Sequence, residues 1–210
     1  ILICLDVSPS MRIRDAGPDL PRIKRSRWAG QAIEPLLRTI GAQYANDIRF
    51  SIVAFHTSAV PVIRETYDKE VVLNLFDDMN LDHAFLPGTT DLQAGVNEAL
   101  RYARGWARNS ATLIIISDGD SDAGLSSLLP TPPSIAQTFV LGVGDPQSPS
   151  EINGHSSRQD ASSLLLLATK LGGTYFDCNR SKAPPLATTG LRMQAPQAMT
   201  PAIERRIGLW

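Results

Sequence analysis

Apolar runs broken by polar, turn-forming stretches lay out the chain. Leu2-Ile3-Cys4-Leu5 is a short unbroken apolar run, the pattern of a strand buried on both faces. It ends at Asp6, and a polar loop rich in turn formers follows over 12–21. From Ile23 the spacing changes to three and four. Ile23, Ala29, Ala32, Ile33, Leu36, Leu37, Ile40 and Tyr44 share one face and predict an amphipathic helix. Pro35 removes a backbone donor inside it and clashes one turn back, so a bend is expected there. Residues 48–55 predict a second strand and 59–64 a third. Pro61 assigns the third strand to an edge, since proline cannot donate to a ladder. A short helix is predicted over 69–79 and a loop over 82–88. Thr89 or Thr90 then opens a helix whose buried face is Leu92, Val96, Ala99, Leu100 and Ala103. Thr112-Leu113-Ile114-Ile115-Ile116-Ser117 is the clearest buried strand and runs straight into Asp118-Gly119-Asp120. The prolines between 125 and 134 leave room only for a short helix. A strand over 138–143, a helix over 160–171 stopped by Gly172-Gly173 and a strand over 174–178 complete the pattern.

Strands alternating with helices at this spacing predict an α/β fold. It is a doubly wound, mostly parallel six-stranded sheet with one antiparallel edge strand and helices on both faces. The length of 210 residues fits one domain, assigned to 1–180, with 181–210 as a tail. Prolines and small polar residues make that tail loosely ordered, although Arg205, Arg206 and Trp210 also suit a juxtamembrane position.

Composition narrows the function classes. With 43% hydrophobic and 20% charged residues the chain reads as an ordinary globular protein. A net charge of −1 gives no footprint for nucleic acid. No apolar run approaches the ~20 residues that cross a bilayer, so no direct membrane insertion by this segment is expected. Cys4 and Cys178 show no zinc or disulfide spacing and read as buried free thiols. His56, His83 and His155 are scattered and pair with no nucleophile, so they read as solvated surface or satisfied core.

The chemistry lies in oxygen ligands. Asp6 is followed at alternate positions by Ser8 and Ser10, and a turn after Asp6 would aim all three above the strand end, where open α/β sheets bind ligands. Carboxylate and hydroxyl oxygens without Cys or His suit a hard divalent cation. They suit equally well the capping of the next helix. Two further strand-to-helix loops on the same rim carry such oxygens, Gly88-Thr89-Thr90-Asp91 and Ser117-Asp118-Gly119-Asp120. Arg12, Arg14, Arg22, Lys24, Arg25 and Arg27 form a basic cluster beside the rim. It reads as a solvated helix face, with steering of an acidic partner as its other role.

This three-part set resembles the von Willebrand factor A domain, whose metal-ion-dependent adhesion site uses Asp-x-Ser-x-Ser, a distant Thr and an Asp at the end of the fourth strand. The resemblance covers residues 1 to about 178 and implies the Rossmann-like fold of that family. It implies that Ser8, Ser10 and Thr90 bind the metal through hydroxyl oxygens, with Asp6 and Asp118 close behind, acting through water. Thr90 is preferred to Thr89 because an Asp follows it; Thr89 is left as a cap or a neighbour of the site, and Asp91 stands beside it. Asp120 and Asp122 read as turn formers, with a place behind the metal as the alternative for either. Pro9 departs from the family's usual glycine and stiffens the loop without removing either serine. Mg²⁺ is the expected ion, with Mn²⁺ or Ca²⁺ as alternatives. Its open position would take a Glu or Asp from another protein, which makes the domain a protein-interaction module and not an enzyme.

Pro18-Asp19-Leu20-Pro21-Arg22-Ile23, Gly154-His155-Ser156-Ser157-Arg158 and Gly172-Gly173-Thr174-Tyr175-Phe176 narrow the resemblance. They point to bacterial members encoded beside MoxR-type AAA+ ATPases, including those of aerotolerance operons and methanol-oxidation clusters. That implies an adaptor or assembly role, with such an ATPase as one partner. It also fits a domain tethered to the inner membrane by segments outside this chain, with a cytoplasmic setting as the alternative; the opening inside a strand suggests upstream sequence. The enzymatic rival is a haloacid-dehalogenase-like phosphatase, which needs a second Asp where Ser8 stands. Neither a phosphate-binding P-loop nor a nucleophile elbow occurs. A metal-free sheet domain would make the serines and threonines plain helix caps.

Overall fold

The computed structural model describes residues 1–18, 20–43, 47–77, 81–121, 124–152 and 154–179. Its main sheet has six strands: β1 (Leu2–Asp6), β2 (Phe50–Phe55), β3 (Ala59–Thr66), β4 (Ala111–Ser117), β5 (Ile135–Gly142) and β6 (Thr174–Asp177). They lie in the order β6-β5-β4-β1-β2-β3, all parallel except β3, which runs antiparallel beside β2 at the edge. This is the expected α/β architecture, with Pro61 on the edge strand as its missing N–H requires.

Among the described residues four α-helices cover the sheet, α1 (Arg25–Gln43), α2 (Lys69–Asp77), α3 (Leu92–Ala103) and α4 (Ala161–Lys170). Alternate strand residues point to opposite layers. Ile3, Leu5, Ile52, Ile114 and Ile116 pack with Trp28, Ala29, Ile33 and Leu37 of α1 and Val72 and Phe76 of α2. Leu2, Cys4, Val53, Phe55, Leu113 and Ile115 pack with Val96 and Leu100 of α3 and Leu164 and Leu167 of α4. Burial on both faces explains why the central strands read as unbroken apolar runs. Cys4 and Cys178 are buried and free, as expected.

Several boundaries differ from the sequence pattern. The stretch after Asp6 is ordered as a 3₁₀ turn over Pro9–Arg12 and a short ribbon in which Arg14–Ala16 pairs with Ile23–Lys24. Ile23 therefore lies in that ribbon, and α1 begins at Arg25 and runs through Pro35. Apolar character alone cannot separate a residue that packs from a helix from one that packs from the strand leading into it. Strand pairing also sets β2 to start at Phe50 and extends β3 to Thr66. A second ribbon pairs Ser150–Ile152 with His155–Ser157. The helix over 92–103 is capped by Asp91, whose Oδ1 accepts the Ala94 N–H at 2.8 Å, and not by Thr89 or Thr90. Asp160 caps α4, and Gly172, at φ +64°, ends it in the left-handed conformation that glycine adopts at no steric cost. Tyr44, Asp122 and the tail 181–210 lie outside the described residues. No helix among the described residues is long and apolar enough to cross a membrane.

Candidate metal centre

The strand order reverses at β1. The chain passes from β1 to β2 on one side, while β4, its other neighbour, leads away to β5 and β6. The carboxyl ends of β1 and β4 thus border the crevice where doubly wound sheets bind ligands. Asp6 ends β1, and Asp118 follows directly on β4.

These two carboxylates hold the hydroxyls of Ser8, Ser10 and Ser117. Asp6 accepts the Ser8 N–H on Oδ1 at 2.9 Å and the Ser117 hydroxyl on Oδ2 at 2.6 Å. Ser117 Oγ in turn accepts the Gly119 N–H at 2.9 Å, which fixes the turn after β4. Ser8 and Ser10 bring their Oγ atoms within 3.0 Å of each other. Asp118 accepts from the Ser10 hydroxyl, from the Asp120 N–H at 3.0 Å and from Arg25 Nη1 at 2.7 Å. A hydroxyl that ligates a cation must direct its lone pairs outward and its hydrogen inward. Hydrogen bonding of Ser8 to Asp6 and of Ser10 to Asp118 provides that inward acceptor. The donor set therefore fits a hard divalent ion held through hydroxyls.

Thr90 enters from the third loop. Its carbonyl accepts the Ser121 hydroxyl at 2.7 Å, and Ser121 Oγ accepts the Leu92 N–H at 3.3 Å. The turn between β2 and β3 adds a second anchor, since the His56 carbonyl accepts the Asp91 N–H at 2.7 Å. Thr90 is half-buried against the rim, whereas Thr89 and Asp120 are exposed. His56 proves to be a core residue, its ring edge-on to Phe85. Among the described residues no three His, Cys, Asp or Glu side chains cluster as a metal cage.

The electrostatics follow from burial. Asp6 and Asp118 are 1% and 0% exposed. Desolvation pushes both carboxyls up, and the charge of Asp118 helps bring Asp6 to about 7. The Arg25 guanidinium pulls Asp118 back toward its charged form. Asp6 and Asp118, with Asp15 beside them, share the Arg25 cation, and the surplus of negative charge would welcome a divalent ion.

Arg25 corrects the sequence reading. It is no member of a solvated basic face: its side chain is fully buried and forms ion pairs with Asp118 and Asp15. Asp15 was missed as part of the site, and Ser117, named among the oxygens of the loop, was given no role of its own. Helical spacing carries the signal for Arg25, because 25, 29, 32 and 36 fall on one face of α1 with apolar Ala29, Ala32 and Leu36.

The sequence profile of the von Willebrand factor type A domain matches residues 1–121. The comparison with curated proteins gives no match. Among solved structures, the chain is similar to an aerotolerance-related membrane protein of Bacteroides fragilis at 20% identity and a TM-score of 0.61, covering 86% of this chain and 93% of that one. It is similar to BatB of Bacteroides thetaiotaomicron at 19% identity and a TM-score of 0.64, covering 86% and 90%. Proximal thread matrix protein 1 of the mussel byssus, with a zinc-occupied metal-ion-dependent adhesion motif, matches at 16% identity and a TM-score of 0.53, covering 89% of this chain and 45% of that one. At these identities the likeness is one of fold.

Proposed function

The chain belongs to the von Willebrand factor type A domain family, and on that premise we propose that it is a metal-dependent protein-interaction module. Ser8, Ser10 and Thr90 hold a divalent cation through their hydroxyl oxygens, while Asp6 and Asp118 orient those hydroxyls and the ion's waters. The cation supplies an open position for a Glu or Asp side chain of a partner protein. Mg²⁺ is the preferred ion because it keeps several waters and needs few direct carboxylates. Mn²⁺, Ca²⁺ and the Zn²⁺ of the mussel domain are the alternatives. Against the phosphatase alternative, position 8 offers a hydroxyl where that chemistry needs a second acid.

One observation carries the reading: two neighbouring hydroxyls, 3.0 Å apart, converge on two buried carboxylates at the reversal point of the sheet. The sequence resemblance to bacterial aerotolerance-type chains extends the proposal to an adaptor or assembly role with a MoxR-type AAA+ ATPase, on a domain tethered at the inner membrane. The test is a calorimetric Mg²⁺ titration of wild type beside Asp6→Ala and Ser8→Ala. It is followed by capture of an acidic peptide, and of the purified ATPase, with and without EDTA. Wild-type binding lost in both variants, and capture abolished by EDTA, is the expected result. Variants that bind Mg²⁺ as tightly as wild type would refute it.

A further inference from the structure

Arg25 bonds Asp118 behind the proposed metal donors, and the reading above gives it no role. Its guanidinium is fully buried. Nε and Nη2 donate to the two oxygens of Asp15 at 2.9 and 2.7 Å. Nη1 donates to Asp118 Oδ2 at 2.7 Å and to Ser157 Oγ at 3.0 Å, and Nη2 also reaches the Ser157 carbonyl at 3.3 Å. Those five contacts use all five N–H donors of an arginine. They join three segments: the loop after β4, the ribbon of 14–24 and the ribbon of 150–157. Ser150 Oγ, 3.5 Å from Asp15 Oδ2, closes the same cluster.

We infer that Arg25 is the positioning residue of the metal rim. It fixes the carboxylate of Asp118, so that the Ser10 hydroxyl keeps a constant acceptor, and it locks both flanking ribbons to the rim. The inference rests on the metal-binding reading above. Charge alone does not account for the arrangement. Asp15 engages the guanidinium through both oxygens, and Asp118 receives from it both a positive charge and a directed Nη1 donor. Shape matters as well, because lysine has three donors on a single nitrogen and cannot span Asp15, Asp118 and Ser157 together. Gly144 leaves the space the guanidinium fills, for a Cβ there would stand 2.4 Å from Arg25 Nε.

The decisive comparison is Mn²⁺ binding, followed by electron paramagnetic resonance, in wild type, Arg25→Lys and the charge-balanced pair Arg25→Met with Asp15→Asn. Amide exchange over 14–24 and 150–157, with and without Mn²⁺, accompanies it. A positioning role predicts at least tenfold weaker Mn²⁺ binding in both variants and loss of Mn²⁺-dependent protection in both ribbons. A merely structural role lowers the metal-free melting temperature and leaves Mn²⁺ affinity unchanged. Variants within twofold of wild type would therefore overturn the inference while leaving the metal site standing. Failure of wild type itself to bind Mn²⁺ would overturn the metal reading and this inference together. If the double variant does not fold, Arg25→Lys decides.

Discussion

Gly144→Ala tests the buried ion-pair cluster from the side of sterics. The added Cβ would stand 2.4 Å from Arg25 Nε and 2.9 Å from its Cδ and Cζ, on a backbone held at φ +98°. A side chain at such a φ costs about 1–3 kcal/mol. The guanidinium has no solvent to swing into, so the clash must be relieved in one of two ways. A backbone shift of the overpacking kind costs about 1–3 kcal/mol. Abandoning Asp118 would break a buried pair, at about 3–5 kcal/mol. The cheaper route prevails, which puts the total at about 2–6 kcal/mol. For a domain of this size, each kcal/mol lowers the melting temperature by about 2–4 °C, so the fall should be roughly 5–20 °C. Differential scanning calorimetry in EDTA measures it, with Gly105→Ala as the control because a Cβ at Gly105 meets nothing within 4 Å. Combining Gly144→Ala with Arg25→Met should be less damaging than the sum of the two, since the shorter, flexible side chain removes the obstacle. A Gly144→Ala protein melting within 2 °C of wild type would refute the packing argument.

Three further outcomes follow from the same geometry. Asp6 is held near 7 in the folded protein by burial and by Asp118, well above its unfolded value. Its contribution to stability is therefore complete below about pH 4 and lost as pH rises through about 7. Metal-free protein should accordingly melt lower at pH 8 than at pH 6, and Asp6→Asn should flatten that slope; a melting temperature that rises over this interval contradicts the assignment. Gly95→Ala would put a Cβ 2.3 Å from Phe55 Cγ and push α3 off β2. It should lose about 1–3 kcal/mol in urea unfolding and also weaken Mn²⁺ binding, because Thr90 and Asp91 lead into that helix. Burial raises both cysteine thiols, Cys178 to about 12. Neither should react with Ellman's reagent until the chain unfolds, and a fast-reacting thiol in the native protein would show that the core is open there.

The sheet was legible because its signal is local. Unbroken runs at Leu2–Leu5 and Thr112–Ser117 admit little but strands buried on both faces, and their spacing with helices settles the winding. The loops after Asp6 and Ser117 were legible for a related reason: each sits directly after an apolar strand, and a parallel sheet sends such loops to one edge, whereas Gly88–Asp91 follows α2 and the turn over Leu81–Ala84 and is no strand-to-helix loop. Arg25 was obscured by its neighbours in the chain, five other basic residues between 12 and 27. Its partners Asp118 and Ser157 lie 93 and 132 positions away, beyond any local pattern. Ser117 was hidden differently, as the polar last residue of a strand whose hydroxyl reaches back to Asp6 across 111 positions. The cap of α3 went to Asp91 because its carboxylate, one residue nearer the helix than the threonines, reaches the Ala94 N–H.

The strand β1 is a central one, with β2 and β4 on its two sides. As β1 leaves the ribosome, both of its edges are bare. One waits for Ser51–Phe55 and the other for Leu113–Ile116. A nascent chain halted before residue 113 would carry a flat apolar ribbon with a full row of unsatisfied amides, the kind of surface on which chains stick to one another. Early stop codons in this protein should therefore give insoluble products.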